Sequence, residues 1–413
     1  MEEVNKMSQD VAGSINKIRV LLLSSSTHPF VEELRNQLSK NGIGASVIYL
    51  RGLRAIRFNL IVDALLFWSR LCIKNPSIFF KLVNIMFKSG LKVRYYLKTI
   101  NIFFMGVLLY KLYLRYSYDL IHAFWSYPAG VAAVLVKTVT GARVVISVLG
   151  YDVEEGTLKN NFLRELSKFA LENADAIIVA VENHYINIAR MGVSRRNVYF
   201  IPIGIDTTKF RTDIDGRIIR KKYEINDNDV VIAFGPHLRD LYGPIDFLKA
   251  AAMVSKEVPN AVFVLMGDGY LSDYLKELAG RWKLKAIFTG QVPYHEMPLY
   301  YAAADIFCTP SYAGQGVSTL EAMASGKPVV GYKIGTIRIE DDITGFLVPK
   351  GDIEKLAEKL TILVKDQNLR KAMGENARRK VQLQYDIVLC AQRIMRVYQK
   401  ILSARTPLSR GQR

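Results

Sequence analysis

Pro310-Ser311-Tyr312-Ala313-Gly314-Gln315-Gly316-Val317-Ser318-Thr319-Leu320-Glu321-Ala322-Met323-Ala324-Ser325-Gly326-Lys327-Pro328-Val329-Val330 decides how this chain is read. A loop of small residues runs into a helix with a carboxylate in its early turns. Gly326 and Pro328 end that helix, and an apolar strand follows. A helix N-terminus reached through a Gly/Ser loop gathers anions, because its free N–H groups and its dipole point at the incoming charge. A carboxylate next to a phosphate needs hydroxyl donors, and a nucleotide's ribose offers two. The stretch therefore reads as a nucleoside-diphosphate site, or as an ordinary βαβ crossover, which also uses small residues before its helix.

Working outward, apolar runs alternate with helical spacing on both sides. Before it come candidate strands at Arg19 to Ser25, Ala45 to Leu50, Leu120 to Ala123, Arg143 to Val148, Ala176 to Val181 and Val198 to Ile201. A second set begins at Val230 and runs to Tyr332. A single long helix is expected from Val381 to Ser403. Such alternation predicts two doubly wound parallel sheets, with ligands at the carboxyl ends of their strands, facing a cleft. The boundaries read as a polar N-terminus at 1–17, a first domain at 18–204, a second at 205–385, a returning helix at 386–404 and a basic tail at 405–413.

The chain has 413 residues and a net charge of +18. Its three cysteines, Cys72, Cys308 and Cys390, are widely spaced, which fits neither a disulfide framework nor a metal site. Residues 1–17 lack the apolar core of a signal peptide. Between Arg51 and Tyr118 basic residues mix with large apolar ones, and Asp63 is the sole acid. The pattern suits helices lying on an anionic membrane. Core-packing helices with snorkelling Lys and Arg would give the same pattern. The uncharged run Thr99 to Tyr110 is too short to span a bilayer, which needs about 20 residues. No nucleic-acid recognition module is readable.

Several motifs now fall in a fixed order: Asp119-Leu120-Ile121-His122-Ala123-Phe124-Trp125-Ser126-Tyr127-Pro128-Ala129-Gly130, then Gly150-Tyr151-Asp152-Val153, Ile201-Pro202-Ile203-Gly204-Ile205-Asp206, Met266-Gly267-Asp268-Gly269 and Phe288-Thr289-Gly290-Gln291-Val292-Pro293. They precede the opening stretch, and Thr344-Gly345-Phe346-Leu347-Val348-Pro349 follows it. In this order the series resembles the retaining glycosyltransferases of family 4, which have the GT-B fold.

The resemblance implies sugar transfer from a nucleotide-diphosphate sugar, with no metal and no separate cofactor. It implies donor contacts from Glu321 to the ribose, from Gly316, Val317, Ser318 and Thr319 to the distal phosphate, from Gln291 and Val292 to the base, and from Gly267 and Gly269 at the site's edge. On the acceptor side it implies His122, Trp125, Tyr127 and Asp152, the last bracing a loop. The residue types agree: no Asp-x-Asp pair follows a strand, so the leaving diphosphate needs amide donors and side-chain cations.

The sequence also departs from the family. The first glutamate of the Glu-x7-Glu motif is Ala313, and the His before the Gly-x-Asp loop is Leu149. His237 and Tyr242 occupy the places of the Arg and Lys that grip the diphosphate. Arg239, with His237 beside it, is the candidate replacement, and Ser318 completes the catalytic set. Ala313 and Leu149 imply either an altered donor sugar or lost catalysis. The expected acceptor is a lipid-linked or membrane-presented glycan, with the protein peripheral at the cytoplasmic face. A catalytically inactive partner subunit and a nucleotide-sugar epimerase of the same architecture are the alternatives. The oligomeric state is unassigned.

Overall fold

The computed structural model describes residues 18–404 except 26, 50–59, 89–92, 151, 154, 195, 236, 336 and 337. The expected N-terminus at 1–17, the tail at 405–413, the start of the basic span and Tyr151 lie outside the described residues. The chain divides into two compact units. One runs through Pro202 and resumes at Cys390, and the other is Ile203–Leu389.

The first unit holds six parallel strands: β1 (Arg19–Ser24), β2 (Gly44–Tyr49), β3 (Leu120–Phe124), β4 (Arg143–Val148), β5 (Ala176–Val179) and β6 (Val198–Phe200). Their order is β2-β1-β3-β4-β5-β6. Val20 to Leu23 are buried without alternation, because a parallel sheet is covered on both faces. Helix Pro29–Lys40 follows β1. Proline suits its first position, where no N–H bond is lost, and His28 accepts from the Phe30 N–H at 3.3 Å as its cap. The basic apolar span forms helices Leu60–Lys74, Pro76–Lys88 and Val93–Tyr116. Gly106 sits where two of these meet helix Val131–Thr140: a Cβ there would lie 3.5 Å from Phe67 and 3.6 Å from Leu135. None of the helices in the described residues is long and apolar enough to cross a membrane.

The second unit repeats the plan with β7 (Val230–Phe234), β8 (Ala261–Leu265), β9 (Ala286–Phe288), β10 (Ile306–Thr309), β11 (Val329–Tyr332) and β12 (Gly345–Val348). The order is β12-β11-β10-β7-β8-β9, all parallel. Strand order reverses between β1 and β3 in the first unit and between β7 and β10 in the second, and ligands of such sheets bind beyond those strand ends.

The single helix expected from Val381 to Ser403 is two. Helix Gln367–Gln384 stops, and Ile387–Ser403 begins anew. The break is built by pairing: the Ile205 N–H donates to the Tyr385 carbonyl at 2.7 Å, and the Ile387 N–H donates to the Ile205 carbonyl at 2.9 Å. Asp386 accepts from the Val388 N–H at 2.8 Å, the geometry of a helix start. From Cys390 onward the last helix packs within the first unit.

Candidate functional site

In the second unit the loops at the switch point are locked together by backbone contact. Gly243 has φ +73°, and a Cβ on it would sit 2.0 Å from the Pro310 carbonyl oxygen. The Tyr312 N–H donates to the Leu241 carbonyl at 2.9 Å. A Cβ on Gly269 would lie 2.2 Å from the Leu238 carbonyl oxygen, and one on Gly235 would lie 2.7 Å from that of Met266. Only glycine allows such approaches. Gly267, at φ +107°, donates to the Gly290 carbonyl at 2.9 Å, which sets Gln291 and Val292 alongside. The structure thus gathers the loops after β7, β8, β9 and β10 at one sheet edge. Gly267, Gly269, Gln291, Val292 and Gly316 to Thr319 all lie on them. Gln291 and Gly316 are exposed, and Val292 and Val317 are half-buried.

Gln315 holds the approach to the helix. Its Oε1 accepts from the Ile339 N–H at 2.9 Å and from the Arg338 N–H, while Arg338 Nε donates to the Gln315 carbonyl at 2.9 Å. Helix Val317–Ala324 then begins at Gly316 with no side-chain cap, and a Cβ on Gly316 would meet nothing within 4 Å. The first turn is therefore uncapped by any side chain among the described residues, with room beside Gly316. Ser318 is half-buried in that turn. Thr319 is fully buried, and its Oγ1 has no hydrogen-bond partner among the described residues. An unmet buried hydroxyl costs about 1–3 kcal/mol.

Glu321 is buried, one turn further on, and accepts from the Tyr301 hydroxyl at 2.9 Å. Burial pushes its carboxyl up to about 7, against the opposing pull of hydrogen bonds from Tyr301 and Tyr294. Arg239 is exposed and forms no ion pair among the described residues. The His237 ring lies 5.0 Å from that of Tyr242, tilted by 46°. Partial burial, and then the neighbouring Arg239 charge, hold it below its usual value. That shift favours the uncharged, hydrogen-bonding form of the ring beside Arg239.

In the first unit the expected acceptor residues divide. His122 is fully buried. Its Nδ1 lies 2.6 Å from the Tyr398 hydroxyl and its Nε2 lies 2.8 Å from the Ser147 hydroxyl. Burial drives its imidazole down to about 3. Both nitrogens are engaged inside the unit, so His122 is a core residue tying the last helix to the sheet and not an acceptor contact. Asp152 is also buried and accepts from the Ser126 N–H at 2.7 Å and the Gly150 N–H at 3.2 Å. It braces two loops, although burial raises its carboxyl. Trp125 and Tyr127 are half-buried, at the end of β3. Trp125 has φ +70° and packs edge-on against His28 at 6.1 Å.

Two family models match. The description "Glycosyl transferase 4-like domain" covers residues 96–204, and "Glycosyl transferases group 1" covers 215–380. The chain is a group 1, family 4-like glycosyltransferase. A Corynebacterium glutamicum relative, described as a GDP-mannose-dependent monoacylated alpha-(1-6)-phosphatidylinositol monomannoside mannosyltransferase, is 31% identical over 48% of this chain and 55% of its own length. An Escherichia coli relative, UDP-Gal:alpha-D-GlcNAc-diphosphoundecaprenol alpha-1,3-galactosyltransferase, is 27% identical over 70% of this chain and 77% of its own. The chain thus spans little more than half the length of the first relative. The crystal structure of Anabaena HepE in complex with UDP superposes with a TM-score of 0.68 at 18% identity, covering 93% of this chain and all of that one. The fold is GT-B.

Within each unit, residues that hold these positions were missed in the sequence. Tyr301 orients Glu321 from a helix twenty residues upstream, and Gln315 pins a loop that begins beyond β11. His28 carried a signal, a His-Pro pair opening a helix after β1, but its meeting with Trp125 needed the strand order.

Proposed function

We propose that the chain moves a sugar from a nucleotide-diphosphate sugar to a lipid-linked or membrane-presented glycan, retaining the anomeric configuration and using no metal. The observation that carries this reading is the pairing of an uncapped helix N-terminus with a buried carboxylate, Glu321, at the switch point of the second sheet. The uncapped amides at Gly316 to Thr319 suit the distal phosphate, and Glu321 suits two ribose hydroxyls. In the reaction the bond from the sugar C1 to the diphosphate oxygen breaks. The acceptor oxygen bonds to C1 on the same face, and its proton passes to the departing phosphate. Negative charge grows on the diphosphate as it leaves, and the amides with Arg239 are the groups placed to stabilise it. The relatives named for a phosphatidylinositol mannoside and a diphosphoundecaprenol sugar support a lipid-linked acceptor. A peripheral position at an anionic membrane surface on the cytoplasmic side belongs to the same reading.

A panel of nucleotide sugars incubated with the full chain tests it. Slow hydrolysis of one donor, releasing the sugar and the nucleoside diphosphate, is expected. Formation of an epimer would favour the epimerase alternative. No turnover of any donor, with nucleotide still bound, would favour an inactive subunit. That alternative draws on Ala313, which is exposed at the loop where the family has a sugar-binding glutamate.

A further inference from the structure

Helix Leu60–Lys74 is apolar on both sides. Ala64, Phe67 and Leu71 are buried in the core of the first unit, at the spacing of one helix face. The reverse face carries Leu65 (64% exposed), Leu66 (53%) and Ile73 (78%). A helix that meets water on one side puts charged residues there, whereas one that is apolar all round has a second apolar neighbour. Among the described residues of the unit nothing covers these side chains. Phe80, on the next helix, is 66% exposed as well, so the bare apolar surface is not a single residue.

Charge selects the occupant. Arg70, Lys74, Lys98 and Arg115 are exposed on the helices of this region, and none has a carboxylate partner among the described residues. Lys81 and Lys111 are paired, with Glu172 and Asp63. A second copy of the chain would set this positive surface against itself. An anionic bilayer supplies apolar depth and negative headgroups together.

We propose that the reverse face of helix Leu60–Lys74 inserts into the interfacial layer of an anionic membrane, with Leu65, Leu66 and Ile73 among the acyl chains and Lys74 at headgroup level. The helix lies in the membrane plane. This deepens the proposed function, since it rests on a membrane-presented acceptor, and it names the anchor.

Trp68, on the flank of the same helix with its ring 5.1 Å from Phe103, is a built-in reporter. The full chain is mixed with phosphatidylcholine vesicles with or without phosphatidylglycerol, and with lipids brominated on their acyl chains. Flotation with the anionic vesicles and quenching of tryptophan fluorescence are expected, with the quenching lost in Trp68→Phe. Leu65→Glu and Ile73→Glu should each lower partitioning about tenfold, the scale of one buried aliphatic side chain. Binding without quenching, unchanged partitioning of both variants, or no binding at all would overturn the insertion. So would a dimer that Ile73→Glu converts to monomer, because a second copy would then be the occupant. Nucleoside-diphosphate binding by the same proteins separates the two readings. Failed flotation with nucleotide still bound removes the anchor alone, and failed nucleotide binding by the wild type removes the donor site.

Discussion

The two sheets are built alike, yet their switch points use polar groups in opposite ways. At the β3–β4 side of the first unit two buried titratable groups are bonded internally: His122 bonds Tyr398 and Ser147, and Asp152 bonds two backbone amides. At the β10 end of the second unit a buried carboxylate held by Tyr301 stands on a helix whose start is uncapped. The helix amides after Gly316 are uncapped, Thr319 Oγ1 is unmet, and Glu321 is raised toward neutrality by burial. Groups that are satisfied internally hold structure, and buried groups that are left unsatisfied fit a partner. We read the difference as stability for His122 and Asp152 and as ligand binding for the β10 end.

His122→Ala attacks the first half of this comparison and should have the largest effect. It removes two buried hydrogen bonds and leaves a cavity, so denaturant unfolding should show a loss of about 3 kcal/mol. Nucleotide affinity, which belongs to the other unit, should not change. Equal stability in this variant would break the contrast.

Arg239→Ala probes the second half. Loss of a cation at the leaving diphosphate should lower kcat about 10- to 100-fold with the melting temperature held. An unchanged rate would remove Arg239 from the site.

Glu321 gives a pH test of similar reach. Its folded value of about 7 lies above its unfolded one, about 4.3. Between those values the native state holds a proton that the unfolded state has lost, so the stability of the ligand-free chain falls as pH rises through that window. Ribose hydroxyls need the ionised form, so nucleotide affinity should rise about tenfold from pH 6 to pH 8. Glu321→Gln should flatten that rise.

Thr319→Val is the mildest change. It replaces an unmet hydroxyl with a methyl group, so stability should hold or gain about 1 kcal/mol, while nucleotide affinity drops. A clear loss of stability would mean that the hydroxyl was already satisfied.

Much of this was legible in the sequence, for different reasons in each part. The parallel strands were readable because burial on both faces makes them continuous apolar runs, whereas the opening stretch alone was not decisive, because an ordinary βαβ crossover also uses small residues before its helix. Strand β12 was not, since it is four residues long and begins at Gly345, where a Cβ would lie 1.9 Å from the Val329 carbonyl oxygen. Helix Gln367–Gln384 buries mainly Met373, Gly374, Ala377 and Val381, too narrow a stripe to give a helical signal. His122 looked like a site residue because it stands near a strand's carboxyl end. Its hydroxyl partners lie 25 and 276 residues away, and no local pattern shows them.

The central claim is that the β10 end of the second sheet binds a nucleoside diphosphate through Glu321. Calorimetric titration of the full chain with UDP and with GDP, beside Glu321→Ala, tests it most directly. Saturable one-site binding of at least one of them is predicted, weakened about 100-fold in the variant while its melting temperature is kept. Absence of binding to either nucleotide, or equal affinity in the variant, would contradict the account.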